Sequence, residues 1–308
     1  MSVPQRPILI AGPTASGKSA AAIALAARTN AVIVNADSMQ VYRDLAILTA
    51  RPSPADEARA PHRLYGHIPA ATPYSVGLWL ADVARVLAEL AAQNRTPIVV
   101  GGTGLYFEAL LAGLSPVPEI APDIRAHWRA EAERIGPERL LAELATRDPV
   151  MAARLRPTDP QRVTRAIEVI EATGRSLADW QRETSTPLLR PEAVTRVVLM
   201  PERERVYAAC DQRFDQMLRA GALAEVAALL GQNLPTERPA MRATGVRALA
   251  AHLQGELTIE EATERGKLDT RQYAKRQMTW LRGRMAGWTE IASTDAEPAA
   301  SQILALQG

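Results

Sequence analysis

The segment Ile8-Leu-Ile-Ala-Gly12-Pro13-Thr14-Ala15-Ser16-Gly17-Lys18-Ser19 constrains this chain more than any other. It sets G-x-x-x-x-G-K-S between a short apolar run and an alanine-rich stretch, the order strand, glycine loop, helix. The glycines let the backbone turn so that its N–H groups and the N-terminus of the following helix face one anion. Lys18 adds a point charge, and Ser19 offers a hydroxyl to Mg²⁺. The loop is therefore a phosphate cradle; which phosphate compound it holds is not written in it.

Further strand signals recur with helical stretches between them. Ala31–Asn35, Pro97–Gly101 and Thr195–Met200 are short apolar runs rich in Ile and Val, bounded by polar, Gly or Pro residues. Runs of this kind are the mark of parallel strands buried on both faces. Ser75–Gln93 supplies a crossover helix, with Val76, Leu80, Val83, Leu87 and Leu90 at helical spacing. The expected fold class is α/β: a P-loop NTPase-like parallel sheet flanked by helices, formed by residues 1–117 and 188–308 with a C-terminal helical part. Between them, 118–187 reads as a helical insertion, with helices at about 123–134, 137–145, 150–155 and 160–173 and no strand. Asp159, Pro160 and Gly174 punctuate the last of these as N-cap, first-turn proline and C-terminal glycine.

Composition narrows the setting. The N-terminus runs into the first strand without an apolar signal segment, and no apolar run approaches membrane-spanning length, so we expect a cytoplasmic protein with no membrane partner. One cysteine, Cys210, excludes internal disulfides and any Cys-cluster zinc site. A formal net charge of +2 does not by itself argue for nucleic acid. Its distribution does more, since 265–284 holds seven Lys/Arg against the single acid Asp269.

Three constellations bear on chemistry. Asp37 closes the second apolar run, at the carboxyl end of a strand, where ligands of such sheets bind. A carboxylate there organises Mg²⁺, takes a proton from a nucleophile beside the phosphates, or caps the next turn. Gly101-Gly102-Thr103-Gly104 at the end of the third run permits close backbone approach and supplies a hydroxyl, or is a plain tight turn. Basic rows form the third: Arg162 with Arg165, off the Val163/Ile167/Ile170 stripe, and Arg271, Lys275 and Arg282 beside Ala274, Met278, Leu281 and Met285. They suit a phosphate backbone or are solvated faces. Arg242-Ala243-Thr244-Gly245-Val246-Arg247 is a weaker backbone-binding candidate.

Taken in order, 12–19, Asn35-Ala-Asp37-Ser38-Met39-Gln40-Val-Tyr42, Thr49-Ala-Arg51-Pro52, Gly101–Tyr106, Asp159-Pro-Gln161-Arg162-Val163-Thr164-Arg165-Ala-Ile-Glu168 and Thr270–Arg282 resemble the bacterial-type tRNA dimethylallyltransferases over nearly the whole chain. The resemblance implies transfer of a dimethylallyl group from dimethylallyl diphosphate to N6 of the adenosine 3′ to the anticodon, position 37, with Mg²⁺ as cofactor. It implies that the phosphate loop, Gly12 to Ser19, holds the diphosphate, with Arg213 as a further ligand. Asp37 would be the general base, with Thr103 and Arg125 beside the substrate tRNA. Residues 37–40, 161–165 and 242–247 would contact the anticodon stem-loop. The expected state is a monomer. The chain departs from the family pattern at Asp44, Ala46, Leu48 and Arg51, where Gly, Asp, Gly and Lys are usual. Two other classes fit the phosphate loop: a small-molecule kinase holding ATP there, and an RNA-binding protein that uses nucleotide as a switch.

Overall fold

The computed structural model describes residues 6–183 and 185–307. They divide into two compact units, one formed by residues 112–187 and the other drawn from both sides of that segment.

The larger unit is organised by one sheet: β1 (Ile8–Ala11), β2 (Ala31–Asn35), β3 (His62–Arg63), β4 (Thr96–Gly101), β5 (Thr195–Leu199) and β6 (Thr289–Ile291). All neighbours are parallel, in the order β3-β2-β4-β1-β5-β6. Successive side chains leave opposite faces, so each central strand feeds two cores. Leu9, Val32, Val34 and Val99 pack on one face beneath Trp79, Phe107 and Met278. Ile8, Ile10, Ile33 and Ile98 pack on the other against the Lys18–Ala26 and Ala296–Ala305 helices. This double burial is why the central strands read as unbroken apolar runs. The edge strands escape such a reading: β3 is two polar residues, and β6 buries only Ile291.

The crossover helix spans Val76–Ala92, opened by Ser75, whose hydroxyl accepts from Leu78 N–H at 3.3 Å. Its buried stripe is Trp79, Val83, Val86 and Leu90, which keeps Val83 and Leu90 of the expected row and adds Trp79 and Val86, while Val76, Leu80 and Leu87 pack partly buried beside it. A long helix, Ile259–Arg284, opens with a reciprocal capping box between Thr258 and Glu261. Its expected apolar row, Ala274, Met278, Leu281 and Met285, is buried. A third cluster packs Val41, Tyr42, Leu45 and Leu48 against Phe214, Val226, Val246 and Leu249. No helix among the described residues is long and apolar enough to cross a membrane.

Residues 112–187 fold around Trp128, Leu140, Leu144, Val163 and Ile167. Its helices are Pro122–Ile135, Pro137–Arg147, Pro149–Ala152, Pro160–Thr173 and Leu177–Trp180. Asp159 caps the fourth and Gly174 ends it at φ 65°, the left-handed conformation that glycine tolerates. The unit starts six residues before the expected 118, because Leu114 is tied to Ser185: its carbonyl accepts from Ser185 N–H at 2.9 Å and its N–H donates to Ser185 Oγ at 3.0 Å.

Candidate active site

With β4 between β1 and β2, the loops that follow these three strands meet at one carboxyl edge of the sheet. Glycine is required where they touch. A side chain at Gly101 would overlap the backbone of Ala36, one at Gly102 the amide of Gln277, and one at Gly104 the ring of Trp280. Thr103 completes the junction. Its N–H donates to Ala36 O at 3.2 Å, and its hydroxyl oxygen accepts from Ser38 N–H at 2.9 Å. The hydroxyl also lies 3.3 Å from Ser38 Oγ.

The glycine loop turns through left-handed residues, Ala15 at φ 61° and Gly17 at φ 85°. The N–H groups of Ala15, Gly17, Lys18 and Ser19 find no acceptor among the described residues, so this end of the Lys18–Ala26 helix is free to meet an anion. Lys18 folds back to donate to Pro13 O at 3.0 Å. Burial lowers its pKa to about 8, against the opposing pull of the Asp37 carboxylate and with help from the Arg213 charge. Arg213 reaches Thr14 Oγ1 at 3.5 Å, and burial pulls its pKa below the ordinary value too. Two desolvated cations beside unpaired amides form an electropositive cradle. Ser19 stands exposed on the first helical turn.

Asp37 lies across from the cradle on a rigid mount. Its N–H donates to Asn35 Oδ1 at 2.8 Å, and Asn35 Nδ2 donates back to Asp37 O at 2.9 Å. Asn35 is fully buried and its carbonyl accepts from Trp79 Nε1 at 2.8 Å. Asp37 Oδ1 accepts from Met39 N–H at 2.9 Å, so part of the carboxylate does close a local turn. Oδ2 has no partner among the described residues and remains available. A pocket here takes polar lining from Thr14, Asp37 and Arg213 and apolar lining from Met39, Leu48, Phe214 and Met217. Tyr273 borders it, its phenol pushed up by burial and by the Asp37 charge. Cys210 is a fully buried part of the wall, and burial raises its thiol to about 11, so it stays protonated and inert.

The remaining expected residues separate into surface and core. Arg242 and Arg247 are exposed and Ala243 and Thr244 line the pocket, whereas Gly245 and Val246 are buried away from it. Val246, at 1% exposure, packs with Phe214 and cannot offer its side chain to a ligand. The same correction holds for Val163, at 0%, and for Thr164, whose hydroxyl donates to Pro160 O at 2.8 Å. In the basic row, Lys275 and Arg282 are exposed without an ionic partner among the described residues, but Arg271 is half-buried and paired with Asp211 at 2.5 Å. Its charge is committed to Asp211. In the smaller unit Gln161 is exposed, Arg162 pairs with Asp159 at 3.3 Å, Arg165 with Glu168 at 3.4 Å, and Arg125 is half-buried on the first turn of its helix. Gln40 holds the 39–50 loop by donating to Thr49 O and Ala50 O at 2.8 and 3.1 Å.

Three further residues shape the site without being among the expected site residues. Glu225 accepts the N–H groups of Ala46, Ile47 and Leu48 at 2.6–2.9 Å, so the segment that departs from the family pattern is held from another helix. Asp44 likewise accepts from Ala70 N–H at 2.7 Å and from Gln232 Nε2 at 2.9 Å. Gln277 was detectable, because it is an amide on the buried side of a helix otherwise lined by Ala274, Met278 and Leu281.

Comparison with known proteins adds the relationship. The family model described as IPP transferase matches residues 40–284, and the one described as isopentenyl transferase matches 6–67. The tRNA dimethylallyltransferase of Nitrobacter hamburgensis is 54% identical over 297 residues, covering 96% of this chain and 94% of its own. That of a Bradyrhizobium strain is 58% identical over 275 residues, 89% of each. Among solved structures, the full-length tRNA isopentenylpyrophosphate transferase of Bacillus halodurans superimposes with a TM-score of 0.70 at 30% identity, covering 98% of this chain and 95% of that one. A eukaryotic dimethylallyltransferase captured acting on tRNA gives 0.76 at 28% identity, covering 90% of this chain and 70% of that one.

Proposed function

The chain belongs to the tRNA isopentenyl (dimethylallyl) transferase family, and on that premise we propose that it moves a dimethylallyl group from dimethylallyl diphosphate to N6 of the adenosine at position 37 of tRNA, releasing diphosphate. The observation that carries this reading is that Asp37, whose Oδ2 has no partner among the described residues, lines a pocket together with Thr14 and Arg213 of the anion cradle. An exocyclic adenine amine is a weak nucleophile, so alignment, proton removal and charge neutralisation on the leaving group must be supplied together.

In this reading the free N–H groups of 15–19, with Lys18 and Arg213, bind the diphosphate. Met39, Leu48, Phe214 and Met217 exclude water from the five-carbon chain. The adenine leaves its stack, at a cost of a few kcal/mol that a loop nucleotide keeps low. N6 attacks C1 of the allylic group: the N6–C1 bond forms, the C1–O bond breaks with its electron pair leaving on diphosphate, and the N6 proton passes to Asp37 Oδ2. Thr103, bonded to the Asp37 loop, steadies the base from the side.

Mg²⁺ fits the donors present. The described residues hold no cluster of three or more His, Cys, Asp or Glu that could cage a metal, and Mg²⁺ characteristically takes few protein ligands and is held by substrate phosphates and water. Ser19 Oγ would be its protein ligand, and the ion would supply charge neutralisation on the diphosphate.

Lys18 makes the diphosphate assignment testable by pH. The protonated ammonium is the anion-binding form, so affinity for dimethylallyl diphosphate should hold below about pH 8 and fall above it, approaching about tenfold per pH unit. Calorimetry with Mg²⁺ between neutral and alkaline pH reads this; a flat profile would detach Lys18 from the anion. For tRNA, Lys275→Ala with Arg282→Ala should lower the slope of log K against log salt by about 0.7–0.9 per lost phosphate contact. Arg271→Ala should leave the slope alone and lower the melting temperature. The reverse pattern would assign the tRNA contact to Arg271.

Incubation of the purified protein with Mg²⁺, labelled dimethylallyl diphosphate and unmodified tRNA tests the whole reading. Label is expected in acid-precipitable tRNA. Absence of label, with phosphoryl transfer from ATP to a small molecule instead, would replace it with the kinase reading.

A further inference from the structure

We infer that Gln277 is a positioning residue of the transfer reaction, the one side chain that sets the spacing between the anion cradle and the loop that steadies the base; this rests on the proposed transferase function. Its amide is buried and makes two bonds of opposite sense. Oε1 accepts from Thr14 N–H in the phosphate loop at 2.8 Å, and Nε2 donates to Gly102 O at 3.0 Å. The partners fix the amide's orientation, since a backbone N–H must meet an oxygen and a carbonyl must meet a donor.

From Gly102 the connection continues through Thr103, which bonds Ala36 O and Ser38 N–H on either side of Asp37. One chain of bonds therefore runs from the cradle at Thr14, through Gln277 and the 101–104 turn, to the backbone on either side of Asp37. No other described side chain bonds both the phosphate loop and the turn after β4. The site is shaped for this group: any side chain at Gly102 would collide with the Gln277 amide. Gln277 sits on the Ile259–Arg284 helix, far along the chain from both loops, so this helix sets how far apart the electrophile and the base are held. A displacement of about 1 Å is enough to cost roughly 100-fold in rate when two reactants must be aligned.

The test uses Gln277→Met, which keeps the length and volume and removes both bonds, and Gln277→Glu, which keeps the acceptor for Thr14 N–H but, when ionised, sets a negative charge against Gly102 O. The full-length wild type is assayed in parallel with dimethylallyl diphosphate and tRNA, so that failure of the functional reading shows as an inactive wild type and failure of the Gln277 assignment as a fully active variant. With an active wild type, the single-turnover rate of the Met variant should fall about 10–100-fold while KM for each substrate stays within about threefold. Hydrogen exchange at Thr14 N–H should quicken in the same variant. The mutant-to-wild-type rate ratio for Gln277→Glu should fall as pH rises and the introduced carboxyl ionises, at temperatures where circular dichroism reports both proteins folded. If either folded variant transfers at the wild-type rate at all pH values, or if only KM changes, Gln277 does not position the reaction. Should the Met variant not fold, the Glu pH ratio alone decides.

Discussion

Asp37→Asn is expected to slow single-turnover prenyl transfer by about 10²–10⁴-fold, equivalent to about 3–5 kcal/mol of transition-state stabilisation, with affinity for dimethylallyl diphosphate nearly intact. The substitution is selective because of how the residue is mounted. Asparagine keeps an oxygen to accept from Met39 N–H, the bond that Oδ1 makes at 2.9 Å, so the turn survives. The main-chain bonds to Asn35 are untouched. What disappears is basicity at Oδ2. If Asp37 chiefly organised Mg²⁺, the loss would appear as Mg²⁺-dependent diphosphate affinity. If it chiefly capped the turn, it would appear as a lower melting temperature with near-normal turnover. A single-turnover rate within about threefold of wild type at saturating substrates would end the base assignment.

The parts of this site that sequence made legible are those whose chemistry is local. The phosphate loop could be read because its strand, glycines, Lys18 and helix are consecutive, and Asp37 because a carboxylate at the end of a parallel strand must face the ligand edge. The central strands were legible because double burial removes polar residues from them. What stayed hidden depends on distant partners. Arg271 lies in the same helical row as Lys275 and Arg282, and only the packing of the Arg203–Arg219 helix, which brings Asp211 to it, separates a committed charge from free ones. Glu225 was invisible for the same reason, since its three backbone partners lie some 180 residues earlier. The edge strands β3 and β6 are defined by pairing with a neighbour and carry almost no apolar pattern of their own.

Trp79→Ala tests whether the mount of Asp37 is as much a part of the reaction as the carboxylate. Trp79 is fully buried, stacked on Tyr106 with ring centroids 4.1 Å apart, and is the donor to Asn35 O. Truncation should destabilise the fold by about 3–5 kcal/mol, toward the upper end because the buried Asn35 carbonyl is left without its partner at about 1–3 kcal/mol. That is a large share of the roughly 5–15 kcal/mol that holds a typical domain together, so denaturant midpoints should drop sharply. The activity argument goes further. Asn35 grips Asp37 through both its side-chain atoms and is itself held by the indole N–H, so loosening it lets the carboxylate wander without altering the anion cradle. Trp79→Phe narrows the difference, because it keeps an aromatic ring against Tyr106 while removing the N–H together with part of the ring volume. It should lose about 1–3 kcal/mol of stability and, where fully folded, transfer more slowly with an unchanged affinity for dimethylallyl diphosphate. Full transfer rate in the folded Phe variant would mean that Asn35 holds Asp37 in place without help from the helix behind it.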